Sequence, residues 1–188
     1  MGQDKALIPF LGRPLIYRAI ERLQPLADEI LITTNRPEAY QFLNLPLYPD
    51  AIPGRGALGG LYTALNAATQ PLVAVVACDM PFASPDLLAA ARDQLLETGA
   101  DVAIPHTGDG LEPFHAVYRR KTCLPHILAA LQADRWRVDS WFAQVKLLLL
   151  RDELITACDP QRLCFWNVNT PEDLQMAEQR AAETSASH

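Results

Sequence analysis

The sequence predicts an α/β protein: a three-layer α/β/α sandwich built on a mostly parallel sheet. Three observations predict it. Short apolar, β-branched runs alternate with segments of helical period along the 188-residue chain. The strongest run, 71–82 (PLVAVVACDMPF), is apolar or small from Leu72 to Cys78 and carries no helical stripe. That is the pattern of a central strand buried on both faces under covering helices. Several runs also end in polar or glycine-rich loops, and in open α/β sheets the carboxyl-end loops form the ligand crevice.

The bulk numbers agree. Apolar residues make up 49% and charged residues 20%, and mean hydropathy is near zero, a globular composition. The length suits one domain over residues 1–182, with 183–188 (ETSASH) expected to be a frayed tail. There is no signal-peptide pattern and no 18-residue apolar run, so the expectation is a cytoplasmic protein with no membrane partner. Net charge is −6 with no Lys/Arg block, which argues against nucleic acid as a partner. Any phosphate must be held by a few placed groups and backbone amides. The cysteines, Cys78, Cys123, Cys158 and Cys164, form no C-x-x-C pair and read as reduced, with Cys78 and Cys164 buried. Met1-Gly2 invites a myristoylation reading, but Ala6 stands where Ser or Thr is needed.

In order, 1–5 (MGQDK) reads as a loop, 6–10 as a short apolar piece and 11–14 (LGRP) as a turn. Leu15, Ile16, Ala19, Ile20 and Leu23 share one helical face, with Pro14 near the start. Residues 29–33 (EILIT) form a strand and 34–37 its loop, and 45–50 is a second extended piece ending at Asp50. The stretch 53–60 (PGRGALGG) has four glycines in seven residues, so its backbone turns sharply or lies close to something. It leads into a helix whose first amides suit an anion, so it is either a ligand loop or a plain connection.

The central strand stops at Asp79, because Pro81 cannot donate to a ladder. A carboxylate there is costly unless it is paired or holds a cation. Asp79 therefore either holds a divalent metal, Mg²⁺ on a phosphate, or caps the next turn. Ser84-Pro85 starts a helix through Leu96. Then come a strand at 101–105, a turn at 107–110, a strand on the far side at 112–119, amphipathic helices at 122–131 and 138–145, and strands at 146–150 and 163–166. After the polar turn 167–171 (NVNTP), Thr170 caps a last helix, with Pro171 first and Glu172 and Asp173 in its first turn.

The chemistry that suits this edge is phosphate chemistry. His106, His115, His126 and His188 are scattered, and His115, inside an apolar strand, reads as structural; no cluster suggests zinc. Lys5 can act as a point charge on phosphates. Asp79 and Asn169 can hold Mg²⁺ with oxygen ligands. Catalysis is then positioning and charge neutralisation.

These motifs resemble those of the MobA-like nucleotidyltransferases. Met1-Gly2-Gln3-Asp4-Lys5-Ala6-Leu7 with Gly12-Arg13-Pro14-Leu15 is similar to the family's M-G-x-D-K-x-L…G-x-P-L. Gly56-Ala57-Leu58-Gly59-Gly60 resembles G-P-L-x-G, Cys78-Asp79-Met80-Pro81 resembles C-D-x-P, and 167–174 (NVNTPEDL) resembles N-[VI]-N-T-P-E-[DE]-L. The resemblance implies a Rossmann-like nucleotide-diphospho-sugar transferase fold and transfer of GMP from GTP to molybdenum cofactor (molybdopterin), giving molybdenum guanine dinucleotide and pyrophosphate with Mg²⁺. It implies Lys5 and Asp79 as catalytic residues, Lys5 on the triphosphate, and Thr33, Asn35, Asp50 and Asp79 on the guanine nucleotide. It implies Asp79 and Asn169 on the metal, and Glu112, Arg137 and Asn167 on the pterin side. Molybdoenzyme maturation proteins are the further partners it suggests.

One departure stands out. The family pattern opens with a strand and an L-A-G-G-x-S-x-R loop before M-G-x-D-K, whereas here Met1 is the methionine of that motif. A misplaced start codon or a truncation would give this sequence. The expectation is a sheet with unpaired strand edges, and a chain that is a poor catalyst and unstable or self-associating. The rival readings are a cytidylyl- or sugar-phosphate nucleotidyltransferase, a non-catalytic nucleotide-binding paralogue, and an α/β domain whose glycines and Asp79 are purely structural.

Overall fold

The computed structural model describes residues 4–186. Its strands are β1 (Pro9–Phe10), β2 (Arg13–Pro14), β3 (Ile32–Thr33), β4 (Leu47–Tyr48), β5 (Leu72–Val76), β6 (Val102–Thr107), β7 (Gly110–Leu111), β8 (His115–Arg119) and β9 (Leu147–Leu150). Its helices are α1 (Leu15–Leu23), α2 (Gly56–Ala67), α3 (Pro85–Thr98), α4 (Arg120–Gln132), α5 (Asp152–Cys158) and α6 (Pro171–Ala186). Single 3₁₀ turns lie at Lys5–Leu7, Phe142–Gln144 and Leu163–Phe165, and a longer 3₁₀ segment at Pro37–Leu43.

Local chemistry accounts for the helix limits. Ser84 accepts the Leu87 amide at 3.2 Å, Pro85 fills the first position of α3, and Gly99 closes that helix at φ +63°, where a side chain would be strained. Thr170 Oγ1 accepts the Asp173 amide at 3.0 Å, and Asp173 Oδ2 accepts the Thr170 amide at 2.8 Å, so α6 opens on a reciprocal cap. Residues 187–188, part of the tail expected from Glu183 on, lie outside the described residues, as do Met1, Gly2 and Gln3.

The main sheet runs β5-β8-β6-β9, with β7 folded back on the end of β6. Both of its faces are covered. Val73, Val75, Val102, Ile104, Ala116 and Tyr118 meet α2 and α4 on one side; Leu72, Val76, Ala103, Val117 and Leu148 meet α3 and α5 on the other. That alternation makes the three layers. β3 and β4 pair separately, in parallel.

Several sequence expectations are corrected. The sheet is mixed: β8 is antiparallel to both β5 and β6, and β9 is parallel to β6. The strand expected on the far side at 112–119 is therefore the middle one. Residues 108–114 are too few for a parallel crossover, which needs a dozen or more, so the chain must return antiparallel. The run at 71–82 is covered on both faces, as expected, but it is not central among the described strands. β5 lies at an edge, Ala74 is exposed, and the side away from β8 opens onto a cavity of about 650 Å³. Cys78 is exposed there, whereas Cys164 is buried as expected. Residues 138–145 form turns that drop Trp141 and Phe142 into the core, not a helix. Residues 163–166 curl instead of extending, because Arg162 takes φ +54° and the Asp159 carboxylate accepts the Cys164 amide at 2.7 Å.

Candidate functional site

Three of the expected residues converge. Lys5 sits in a 3₁₀ turn that Asp4 caps by accepting the Ala6 amide at 3.3 Å. Its Nζ donates to Asn169 Oδ1 at 2.6 Å and lies 3.9 Å from Asp79 Oδ2. Asp79 follows β5 and Asn169 precedes α6, and the two segments are joined where the Val168 amide donates to the Asp79 carbonyl at 2.9 Å. Asn169 is held in turn, its amide donating to Asp173 Oδ2 at 3.0 Å. These bonds pull the Asp173 carboxyl below its usual range, the Thr170 hydroxyl contributing most. Lys5 is 40% exposed and Asp79 19%, so the constellation faces an opening and remains accessible to a solute.

A second pair forms beyond β3 and β4. Asn35 Nδ2 donates to Asp50 Oδ2 at 2.8 Å, and the Asp50 amide donates to Asn35 Oδ1 at 2.9 Å. Thr33 ends β3 beside them. Next to Asp50, the Ala51 amide donates to Thr63 Oγ1 of α2 at 3.0 Å, which ties this loop to the helix that the glycine stretch opens. α2 starts at Gly56, so residues 56–60 of that stretch are helix rather than loop. Gly59 is required by packing: a Cβ there would lie 2.9 Å from Arg55 Cβ and 3.4 Å from the Ile52 carbonyl.

Glu112 and Asn167 line a third feature, a polar cavity of about 670 Å³ with Arg162, Asp152 and Trp166. Burial raises the Glu112 carboxyl above its ordinary value, against a weaker lowering by the Thr107 hydroxyl. Arg137 does not join them; it is 85% exposed and paired with Asp139 at 2.9 Å. His115 is buried and accepts the Ser84 amide on Nε2 at 3.0 Å. Burial lowers its pKa to about 4, so it stays neutral in the fold and carries the structural role expected of it.

Sequence reasoning did not single out Asp4 and Asp173, which hold the turns that carry Lys5 and Asn169. Tyr40 is buried after β3, and burial and then the Asp4 carboxylate push its phenol upward. The signal for Asp173 was present: Thr170-Pro171-Glu172-Asp173 puts a carboxylate at the third helical position, where it reaches back past the cap.

A Mg²⁺ ion fits the donors at the first cluster. The Asp79 carboxylate and the Asn169 carboxamide both face the Lys5 ammonium, and two hard oxygens plus substrate phosphates and water are an ordinary Mg²⁺ set. No group of three His, Cys, Asp or Glu among the described residues could hold a metal by itself.

The model of the MobA-like NTP transferase domain matches residues 1–146. The chain belongs to this family. It is a family of nucleotidyltransferase enzymes, and the curated relatives agree. The "probable molybdenum cofactor guanylyltransferase" of Pelotomaculum thermopropionicum is 36% identical over 177 residues, covering 94% of this chain and 85% of the relative. The molybdenum cofactor guanylyltransferase of Vibrio cholerae is 32% identical, covering 92% and 82%. Among solved structures, molybdopterin-guanine dinucleotide biosynthesis protein A of Archaeoglobus fulgidus superposes with a TM-score of 0.83 at 23% identity, covering 97% of this chain and 92% of that one. The 2-C-methyl-D-erythritol 4-phosphate cytidylyltransferase of Thermus thermophilus follows the same fold with a TM-score of 0.66 at 18% identity, covering 95% and 94%. The nucleotidyltransferase α/β fold of the MobA-like family is thereby established. No helix of the described residues is long and apolar enough to cross a membrane.

Proposed function

We propose that this MobA-like nucleotidyltransferase transfers GMP from GTP to the phosphate of molybdenum cofactor, giving molybdenum guanine dinucleotide and pyrophosphate. A phosphate oxygen of the acceptor attacks the α-phosphorus, the bond to the β-phosphate breaks, and pyrophosphate leaves with the electron pair. The observation that carries the reading is the convergence of Lys5, Asp79 and Asn169 at the carboxyl end of β5. The guanylyltransferase names of the relatives supply the substrates.

Lys5 moves from Asn169 onto the triphosphate, where a cation on a flexible stem offsets charge that grows on the leaving group. Asp79 and Asn169 hold Mg²⁺, which neutralises phosphate charge when bound. Asn35 and Asp50, with Thr33, form a rigid hydrogen-bonded rim for the guanine nucleotide. Glu112 and Asn167 face the pterin, and the half-buried carboxylate accepts from its N–H edge. Arg137, exposed and paired with Asp139, lies outside the cavity they line.

The test is pyrophosphate release from GTP with molybdenum cofactor and Mg²⁺, for wild type, Asp79→Ala, Glu112→Ala and Arg137→Ala. Turnover that needs GTP and collapses in Asp79→Ala is the expected result. Equal turnover with CTP, or full activity of Asp79→Ala, contradicts it.

A further inference from the structure

One wall of the polar cavity is aromatic. Trp166 lines it, among Thr107, Asp109, Glu112, Asp152 and Arg162. It is only partly buried, and the buried Phe82 braces its ring at 5.9 Å and 48°. Phe165 before it is held separately, edge-on to His115 at 5.6 Å. The indole is thus a fixed flat surface beside open space. The half-buried Glu112 carboxylate, also on the cavity, is steadied by the Thr107 hydroxyl at 3.3 Å. A flat face and a placed acceptor in one cavity suit a planar heteroaromatic ring with an N–H edge.

Charge decides which part of a substrate enters. Asp109, Glu112 and Asp152 stand against a single guanidinium, Arg162, and Asp152 already engages it at 2.8 Å. A phosphate is repelled there, whereas a neutral ring that donates hydrogen bonds is not. Position agrees. Asp79 follows β5, and the cavity lies two strands along the sheet, where Thr107 ends β6. The rim of Asn35 and Asp50 lies on the other side of β5, beyond β3 and β4. The phosphate cluster therefore stands between two places for flat rings. Val168 is buried while Asn167 and Asn169 are not, the period of an extended chain, whose alternate residues stand roughly 7 Å apart. Asn167 lines the cavity and Asn169 joins the cluster, so a ring and a phosphate joined by a few bonds span that step.

Pterin and guanine share the amino-pyrimidinone edge that such a cavity recognises, and the strand order gives the cavity to the ring of the acceptor. We propose that Trp166 determines acceptor specificity: the pterin ring stacks on its indole with the N–H edge on Glu112, and the acceptor's phosphate then falls at Asp79 and Asn169. This rests on molybdenum cofactor being the acceptor.

The probe is 6-hydroxymethylpterin, titrated at pH 7 into the ¹⁵N-labelled chain, with GMP as the second arm. The chain has three tryptophans, and Trp166→Phe removes one indole N–H signal and so assigns it. The pterin should shift the Trp166 signal and leave those of Trp136 and Trp141 in place, and GMP should shift none of them. In steady-state kinetics Trp166→Leu should raise KM for molybdenum cofactor about tenfold, the scale of one base stacked on an aromatic ring, with KM for GTP unchanged, and Trp166→Phe should restore it. Where Trp166→Leu does not fold, the wild-type indole shift decides. A Trp166 signal that ignores the pterin, or that moves with GMP, overturns the proposal even if GTP turnover upholds the reaction. So does an equal rise of both KM values in Trp166→Leu, which assigns the indole to the fold. A pterin shift at Trp166 in a chain that turns over no GTP upholds the ring site and counts against the reaction alone.

Discussion

Asp79 acts through two separate groups: its carbonyl accepts the Val168 amide while its carboxylate faces Lys5. Asp79→Asn keeps the first and removes the charge of the second. Its kcat should fall about 100-fold or more, the usual scale for deleting one electrostatic contact to a transition state, with Tm within a degree or two of wild type. A matching loss of Tm would reassign Asp79 to the fold. Asp173→Ala strips Asn169 and Thr170 of their shared acceptor. It should lower stability, as the loss of a capping partner does, and raise KM for the nucleotide, read by urea titration and steady-state kinetics. At this scale residue type and strand-end position singled out Asp79, Lys5 and Asn169, which the fold brings together, whereas Asn35 and Asp50 were named by the family resemblance. The sequence was silent on which of them touch, because Lys5 and Asn169 are 164 positions apart and only the folded chain brings them together.

The elements show a similar division. The start of α3 could be read from Ser84 and Pro85, whose types suit the cap and the first helical position, while its end lies two residues past the expected Leu96, where Gly99 closes it. Ser84→Ala should lower stability by about 1 kcal/mol in urea. At the start of α2, Gly59→Ala forces a Cβ to within 2.9 Å of another Cβ, and overpacking of that kind should cost about 1–3 kcal/mol. A gain in Tm would show that Arg55 gives way freely. What local pattern could not supply was strand order. β8 carries the alternation of any half-buried strand, and nothing in residues 115–119 says that it lies between β5 and β6. The short return over 108–114 was the available clue. Residues 138–145 misled because Val138, Trp141, Phe142 and Val145 fall at helical spacing over a stretch that turns twice. α5 was missed because a seven-residue helix shows barely two turns of period.

On the scale of the whole molecule, the buried histidine links fold to pH. His115 titrates at about 4 in the fold against 6.5 for an ordinary imidazole, because burial disfavours the cation. The unfolded chain therefore binds the proton first. This contribution to stability is complete above about pH 6.5 and is lost as pH falls toward 4. The chain should be about 2 kcal/mol less stable at pH 5 than at pH 7 from this group. His115→Gln keeps an acceptor for the Ser84 amide and should flatten that slope in urea titrations at the two pH values; an unchanged slope would assign it to the carboxylates. Composition and alternation made the layered α/β class legible from the start, since covering both faces of a sheet requires both patterns. They could not show that β5 stands at an open edge, because a strand's own sequence does not say whether its neighbour is present. The central claim is that the Lys5, Asp79 and Asn169 constellation is a guanine-nucleotide site. Calorimetric titration of the chain with GTP and then CTP, each with Mg²⁺, beside Asp79→Ala, tests it most directly. Selective GTP binding that disappears in the variant is the expected result, and folded protein that binds neither nucleotide, or binds both equally with and without Asp79, would contradict it.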